Sequence, residues 1–234
     1  MKTKISCIKS MLLAAGVCLA ASSSFAALIP VGPVSLTGTG MGTVSTLLTI
    51  QNTPTETGSV AFNGTTDVLT GDAKTGASLT LTRTLSQVGI TRASDLSIIF
   101  NPSEPSTTGE SSITLTDLVL RIFSATGSTL FTSGVFTPRF FPTTVDIGTG
   151  NSGFLFALDS TDAALAQATA FTGAFGTNRI GLSASGTGSA GGVETFFVAN
   201  RAGGGGNNVP EPGTVPILLV GLGLIAAMYR KARL

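Results

Sequence analysis

Residues 111–124 read Ser-Ser-Ile-Thr-Leu-Thr-Asp-Leu-Val-Leu-Arg-Ile-Phe-Ser. Side chains alternate between the two faces of a strand, so residues two apart share a face. Ile113 and Leu115 keep one phase, whereas Leu118, Leu120 and Ile122 keep the other. The change at Thr116–Asp117 predicts one long strand interrupted by a β-bulge or bend. The same period of two recurs on either side. Val44, Leu48 and Ile50 follow it within Gly42–Gln51, and Leu96, Ile98 and Phe100 follow it up to the Asn101-Pro102 break. In Ala77–Leu85, Ala77, Leu79 and Leu81 oppose Ser78, Thr80, Thr82 and Thr84, the pattern of a half-buried strand with a Thr-rich outer face. Further strands are expected at Ser59–Phe62, Thr129–Phe136, Gly153–Ala157, Arg179–Ser183 and Val193–Ala199. Turn signals at Asn63-Gly64, Thr75-Gly76, Ala125-Thr126-Gly127 and Thr149-Gly150-Asn151 separate them.

One segment reads as helical. Ser160 or Thr161 can cap it, Asp162 suits its first turn, and Ala163–Ala170 is Ala-rich and free of breakers. Many short strands with one short helix predict an all-β fold: a single, jelly-roll-like β-sandwich over residues 27–200. Phe123, Phe131, Phe136, Phe154, Phe156, Phe196 and Phe197 would supply much of its core. Residues 201–208, with Gly203–Gly206 followed by Asn207 and Asn208, read as a flexible linker with nothing to bury.

The two ends differ from this middle. Lys2, Lys4 and Lys9 precede an uncharged apolar run from Met11 to Ala21, then Ser22–Ser24, Phe25, Ala26 and Ala27. A basic start, an apolar centre and small residues at Ser24 and Ala26 define residues 1–26 as a secretory signal peptide, with cleavage expected between Ala26 and Ala27. Cys7 and Cys18 are the only cysteines of the 234 residues, and both fall inside that segment. A lipid on Cys18 is disfavoured by Val17 directly before it. The processed chain therefore has no thiol, which excludes a disulfide scaffold.

The sequence contains no His. That absence removes the commonest general base, the Ser-His-Asp arrangement and imidazole metal sites. Residues 27–209 hold seven basic and eleven acidic residues, a net of −4, without the basic stripe that nucleic-acid binding requires. Gly38-Thr39-Gly40-Met41-Gly42 lacks the strand–turn–helix context and spacing of a nucleotide loop and reads as a turn. Asp159 and Asp162, with Glu194, are the candidates for a carboxylate pair or Ca²⁺ ligands, though the two aspartates more simply cap the helix. Asp67 and Asp72 flank a Gly-containing turn and are weaker candidates of the same kind. Asn63-Gly64-Thr65 fits a glycosylation pattern but reads as a turn. Lys74, the only lysine between residues 27 and 209, has no Ser-x-x-Lys before it, so a Ser-Lys hydrolase is unsupported. No catalytic residue, metal site or cofactor is assigned, and no enzyme activity is expected. Trp is absent and the single Tyr is Tyr229, which weakens a sugar-stacking surface.

After the linker come Val209-Pro210-Glu211-Pro212, an uncharged stretch to Tyr229, and Arg230-Lys231-Ala232-Arg233-Leu234. Pro212–Tyr229 would span about 27 Å as a helix, close to the hydrocarbon thickness of a bilayer at roughly 30 Å. A transmembrane helix is accordingly expected over 213–229. Arg230, Lys231 and Arg233 act as a basic stop on the cytoplasmic side and leave the domain outside. Motif, short Leu/Gly-rich span and basic end, in that order over residues 209–234, resemble the PEP-CTERM sorting signal. The resemblance implies recognition of Pro210-Glu211-Pro212 by an exosortase, a membrane-embedded transpeptidase-like enzyme, and removal of the tail. It implies a Gram-negative bacterium that makes exopolysaccharide, with the protein passing through the inner membrane to the cell surface, outer membrane or extracellular matrix.

For the central domain three readings stay open: a structural surface or matrix sandwich with exopolysaccharide as neighbour, a carbohydrate-binding or adhesion module, and a carboxylate-based secreted hydrolase.

Overall fold

The bulge expected at Thr116–Asp117 organises the larger sheet. Strand β7 (Ile113–Phe123) pairs antiparallel with β11 (Arg179–Thr187), setting Asp117 opposite Ser185 and Leu115 opposite Gly186. Thr116 is the extra residue, and its hydroxyl donates to the Ser185 carbonyl at 3.0 Å. The insertion restores the phase, so Ile113, Leu115, Leu118, Leu120 and Ile122 all end up buried in one core.

The computed structural model describes residues 27–35, 44–76, 78–102, 112–142 and 152–202. The signal peptide 1–26, the glycine motif 38–42, the turn 149–151, linker residues 203–208 and the tail 209–234 with its helix 213–229 lie outside the described residues. The all-β expectation holds, as two antiparallel sheets. One has the order β1 (Leu28–Ser35), β10 (Ser152–Leu158), β6 (Leu96–Asn101), β12 (Glu194–Asn200), β2 (Ser45–Ile50). The other runs β4 (Asp67–Gly71), β3 (Thr55–Phe62), β11, β7, β8 (Thr129–Thr132), with β5 (Arg83–Thr84) beside β11 and β9 (Arg139–Phe141) beside β7.

The sheets face each other across one apolar cluster. Leu48, Ile98, Phe100, Phe156 and Phe196 come from the first sheet, and Val60, Leu120, Ile122 and Leu182 from the second. Burying side chains of this size contributes about 1.5–3 kcal/mol each. Of the expected core phenylalanines, Phe123, Phe131, Phe136, Phe156 and Phe196 are buried. Phe197 is a correction: in a period of two it must face away from Phe196. It packs instead in a smaller cluster with Val44, Ile99, Leu155 and Ala199. The outer face of the larger sheet carries hydroxyls in contact, Thr57 with Ser185 at 3.0 Å and Ser59 with Thr70 at 2.7 Å.

The strand expected at Ala77–Leu85 is a second correction. Ser78–Thr80 form a turn, only Arg83 and Thr84 pair as a strand, and Leu85 opens a one-turn helix, α1 (Leu85–Val88). Local capping defeats the alternation here. Thr84 Oγ1 accepts from Gln87 N at 3.1 Å, and the Gln87 side chain accepts from Thr84 N at 2.9 Å, forming a capping box closed by Gly89. The fold thus has two short α-helices among the described residues rather than one. The other, α2 (Ser160–Ala170), is capped by Asp159 and not by Ser160 or Thr161. The strand from Thr129 stops at Thr132 instead of reaching Phe136.

Two of the expected turns pack on each other. Asn63 Oδ1 accepts from Thr65 N and Thr66 N at 2.9 and 2.8 Å, which closes the β3–β4 hairpin. A Cβ on Gly64 would lie 2.4 Å from the Thr126 carbonyl oxygen, and one on Gly127 2.3 Å from the Asn63 carbonyl carbon, so both positions require glycine.

Candidate functional site

A cleft of about 180 Å³ opens at one side of the molecule, between the edge of one sheet and the edge of the other. β1 supplies Pro30, Gly32 and Pro33. The prolines offer no N–H to an incoming strand, and the register slips between Pro30 and Gly32, so this edge is poorly suited to further strand pairing. β9 supplies Arg139, Phe140 and Phe141, and β10 supplies Phe154 and Leu155. The Phe141 and Phe154 rings meet at 4.4 Å on its floor. Phe140 is 60% exposed, and the Arg139 guanidinium lies 5.9 Å from the Phe141 ring centre. Among the described residues neither salt bridge involves Arg139. An apolar cleft with one charged group at its rim suits a ligand with an apolar face and an anionic substituent. Sequence reasoning missed β1, β9 and this cleft. Two prolines argue against a strand at 28–35, and three residues are too few to show a period.

The candidate carboxylates are dispersed. Asp67 accepts from Thr82 N and from the Thr82 hydroxyl, and Arg179 Nη2 lies 3.7 Å away while its guanidinium stacks on Phe62 at 4.6 Å. Burial holds the neighbouring Arg83 below its usual range; Asp67 opposes the shift and Arg179 adds to it. Asp72 accepts from Asn52 Nδ2 and Thr57 N, both at 2.8 Å. Both aspartates thus brace loops. Lys74 is half-buried, and its amide donates to the Thr49 carbonyl at 2.8 Å. Glu194 begins β12 opposite Ile50, whereas Asp159 follows β10 at the other end of the same sheet. Their offset along the strands is on the order of 20 Å, which separates Glu194 from the expected carboxylate pair. Glu56, a second wholly buried glutamate, went unnoticed because one acid in a Thr-rich strand leaves the alternation intact.

Asp159 and Asp162 are brought together, with different partners. Asp159 Oδ1 accepts from Asp162 N at 2.8 Å and caps α2, while Oδ2 accepts from Ala27 N at 3.1 Å. The Asp159 amide returns a bond to the Ala27 carbonyl at 3.1 Å. Asp162 is buried and accepts from Gly134 N at 2.9 Å. Burial pushes its carboxyl above the ordinary value; the Gly134 N–H opposes this and the Asp159 charge adds to it. The folded state therefore holds this proton more tightly than the unfolded chain. Its contribution to stability is present below the ordinary carboxylate value and is lost as pH rises through the folded one.

Fold and site define an all-β protein of two antiparallel sheets, with an apolar cleft rimmed by Arg139 at one side and an aspartate-capped helix against Ala27. Residues 208–233 match the family of the PEP-CTERM protein-sorting motif, so the C-terminal tail carries that motif. Such a tail marks an exported, membrane-transiting protein handled by an exosortase. No curated protein and no solved structure matches the chain. Among the described residues no helix is long and apolar enough to cross a membrane.

Proposed function

We propose that this is a cell-surface or extracellular-matrix protein of an exopolysaccharide-producing Gram-negative bacterium. It is exported by the signal at residues 1–26 and released from the inner membrane when an exosortase removes the tail. The sorting motif at residues 208–233 is the observation that carries the reading. The opening basic and apolar run supports it independently. The domain's role is structural rather than enzymatic, in keeping with the lack of His and of any Cys after residue 26. The two sheets are read as a jelly-roll-like sandwich. The order β2-β12-β6-β10 in one sheet and β3-β11-β7-β8 in the other supports this, since these eight strands, taken in chain order, pass from sheet to sheet at every step but β7–β8, in the manner of two interleaved Greek keys. The test is the mass of the surface-exposed protein in cells with and without the exosortase. Loss of the tail only when the enzyme is present is expected; a tail that persists in wild-type surface protein rejects the reading.

The cleft favours a second role, binding of a surface carbohydrate. Phe140 offers the exposed aromatic face that the missing Trp and outlying Tyr229 do not, and Arg139 stands beside it. Aromatic faces attract the positively polarised edge of a ring-shaped ligand. The purified exported protein on a glycan array should retain acidic sugars, and Phe140→Ala should reduce the signal about tenfold, equivalent to roughly 1.4 kcal/mol. Equal retention by the two proteins would exclude the cleft.

A further inference from the structure

We infer that Asp159 is the docking site for the α-ammonium group created when the export signal is removed. The inference rests on the proposed cleavage between Ala26 and Ala27. Two independent observations meet at one atom: the sequence places the cut at the nitrogen of Ala27, and the fold places that nitrogen 3.1 Å from Asp159 Oδ2.

In the uncut chain this nitrogen is a neutral peptide amide with a single N–H. Cleavage by a signal peptidase adds water across the Ala26–Ala27 bond. The C–N bond breaks, the hydroxyl joins the Ala26 carbonyl carbon, and the nitrogen gains hydrogen to become an amine. At neutral pH Ala26 leaves as a carboxylate and the Ala27 amine takes up a proton. A neutral hydrogen bond to a carboxylate becomes an ammonium–carboxylate pair, a shorter and stronger interaction.

The surroundings hold that pair in place. The Ala27 carbonyl accepts from Asp159 N, and Leu28 pairs with Leu158 across β1 and β10, so the residue is fixed on both sides of its nitrogen. Ala27 is 8% exposed in the uncut chain. Competing charges are few. β1, β8 and β10 carry none; Asp162 is turned to Gly134; Arg92, in the turn that packs on α2, is paired with Asp95 at 3.3 Å; and Asp117 and Arg121 of β7 bond to Leu118 N and Ser183 Oγ. Asp159 meets the positive end of α2 on one oxygen and the new ammonium on the other. A cut one residue earlier or later would move the charge by about one residue's rise, roughly 3.3 Å, and lose the contact. The domain thus reaches its full stability only after correct removal of the signal.

The test starts with N-terminal sequencing of the exported protein, followed by thermal unfolding of wild type and Asp159→Asn between pH 6 and pH 10. Asparagine caps helices as well as aspartate, so its Oδ1 can keep the bond from Asp162 N while its amide group takes away the charged acceptor that faces Ala27 N. An unpaired α-amino group titrates at about 7.7–8.0. Pairing raises that value in the folded state, so the stabilisation is fully present below it and is lost as pH rises through the folded value. The melting temperature of wild type relative to Asp159→Asn should therefore fall by about 3–6 °C from the acid to the alkaline end of the range. Titrating groups that do not feel Asp159 are common to both proteins and cancel; Asp162, whose carboxyl the Asp159 charge pushes up, does not, and the acetylated chains separate its contribution from that of the α-amine. Selective acetylation of the α-amine should abolish the α-amine's part of the pH dependence of the difference. A mature chain that starts elsewhere refutes the cleavage site and this docking site together. A chain that starts at Ala27 but shows a pH-independent difference, or the same pH dependence after acetylation, refutes the docking site alone.

Discussion

Replacing Glu211 by alanine is expected to leave signal removal intact while full-length, tailed protein accumulates in the inner membrane. The expectation follows from the order of elements in the tail. Pro210 and Pro212 have no N–H to donate, and proline disfavours helix for the residue before it, so an extended motif open to recognition is the expectation from sequence. Glu211 is the only charge between Arg201 and Arg230, and thus the one charged handle by which a membrane-embedded enzyme can read the site. Arg230, Lys231 and Arg233 follow the apolar stretch, and drawing each through hydrocarbon costs about 2.5–3.5 kcal/mol on insertion scales, so an uncut tail stays where it stopped. Fractionation with intact-mass measurement separates the forms. Wild type should appear at the surface without the tail, and Glu211→Ala in the membrane with it, at the same N-terminus. The variant should then resemble wild type in cells lacking the exosortase. A variant processed like wild type would show that Glu211 is not read, and a wild-type tail retained in the mature protein would leave a plain membrane anchor.

Legibility differed sharply between the parts of this chain. The long strand at 113–123 was readable because eleven residues give the period of two enough repeats to reveal even its bulge at Thr116. Ala77–Leu85 misled for a physical reason: a capping box at Thr84 and Gln87 is a local hydrogen-bonding choice that outweighs alternation over a few residues. That signal, Thr-x-x-Gln followed by Gly89, was present and overlooked. β1 was hidden by Pro30 and Pro33, which are tolerable because this strand pairs only with β10 among the described residues. For the site, sequence pattern identified Asp159 as a helix cap; Asp162, expected to share that role, turns its carboxylate to Gly134 N instead. The pattern had no means of showing that Asp159 Oδ2 also holds Ala27, 132 positions away in the chain. Contacts of such separation arise from topology, and here the β1–β10 pairing creates them.

Phe100→Ala is expected to be the most destabilising of the simple substitutions discussed, at about 3–5 kcal/mol. Phe100 has no exposed surface and lies in β6, the middle strand of the five-stranded sheet. Its ring stacks on Phe196 of the neighbouring strand at 4.9 Å and meets the edge of Phe141 at 5.2 Å. Phe141 belongs to β9 of the opposite sheet, so one side chain supports both the lateral packing of one sheet and the contact between the two. Truncation removes the transfer free energy of the ring and leaves a cavity that strands held by cross-strand hydrogen bonds on both sides cannot close. For a domain of this size each kcal/mol shifts the melting temperature by about 2–4 °C, so a fall of roughly 6–20 °C should be seen in thermal unfolding. A total stability of about 5–15 kcal/mol makes that a large share. Phe140→Ala provides the contrast: its ring is 60% exposed in the side cleft, and its loss should cost about 0.5 kcal/mol or less. If the two substitutions shift the melting temperature equally, the ring at 140 is part of the core and the cleft is not an open site. If only Phe100→Ala does, the domain tolerates change where a ligand would sit and resists it where the sheets meet.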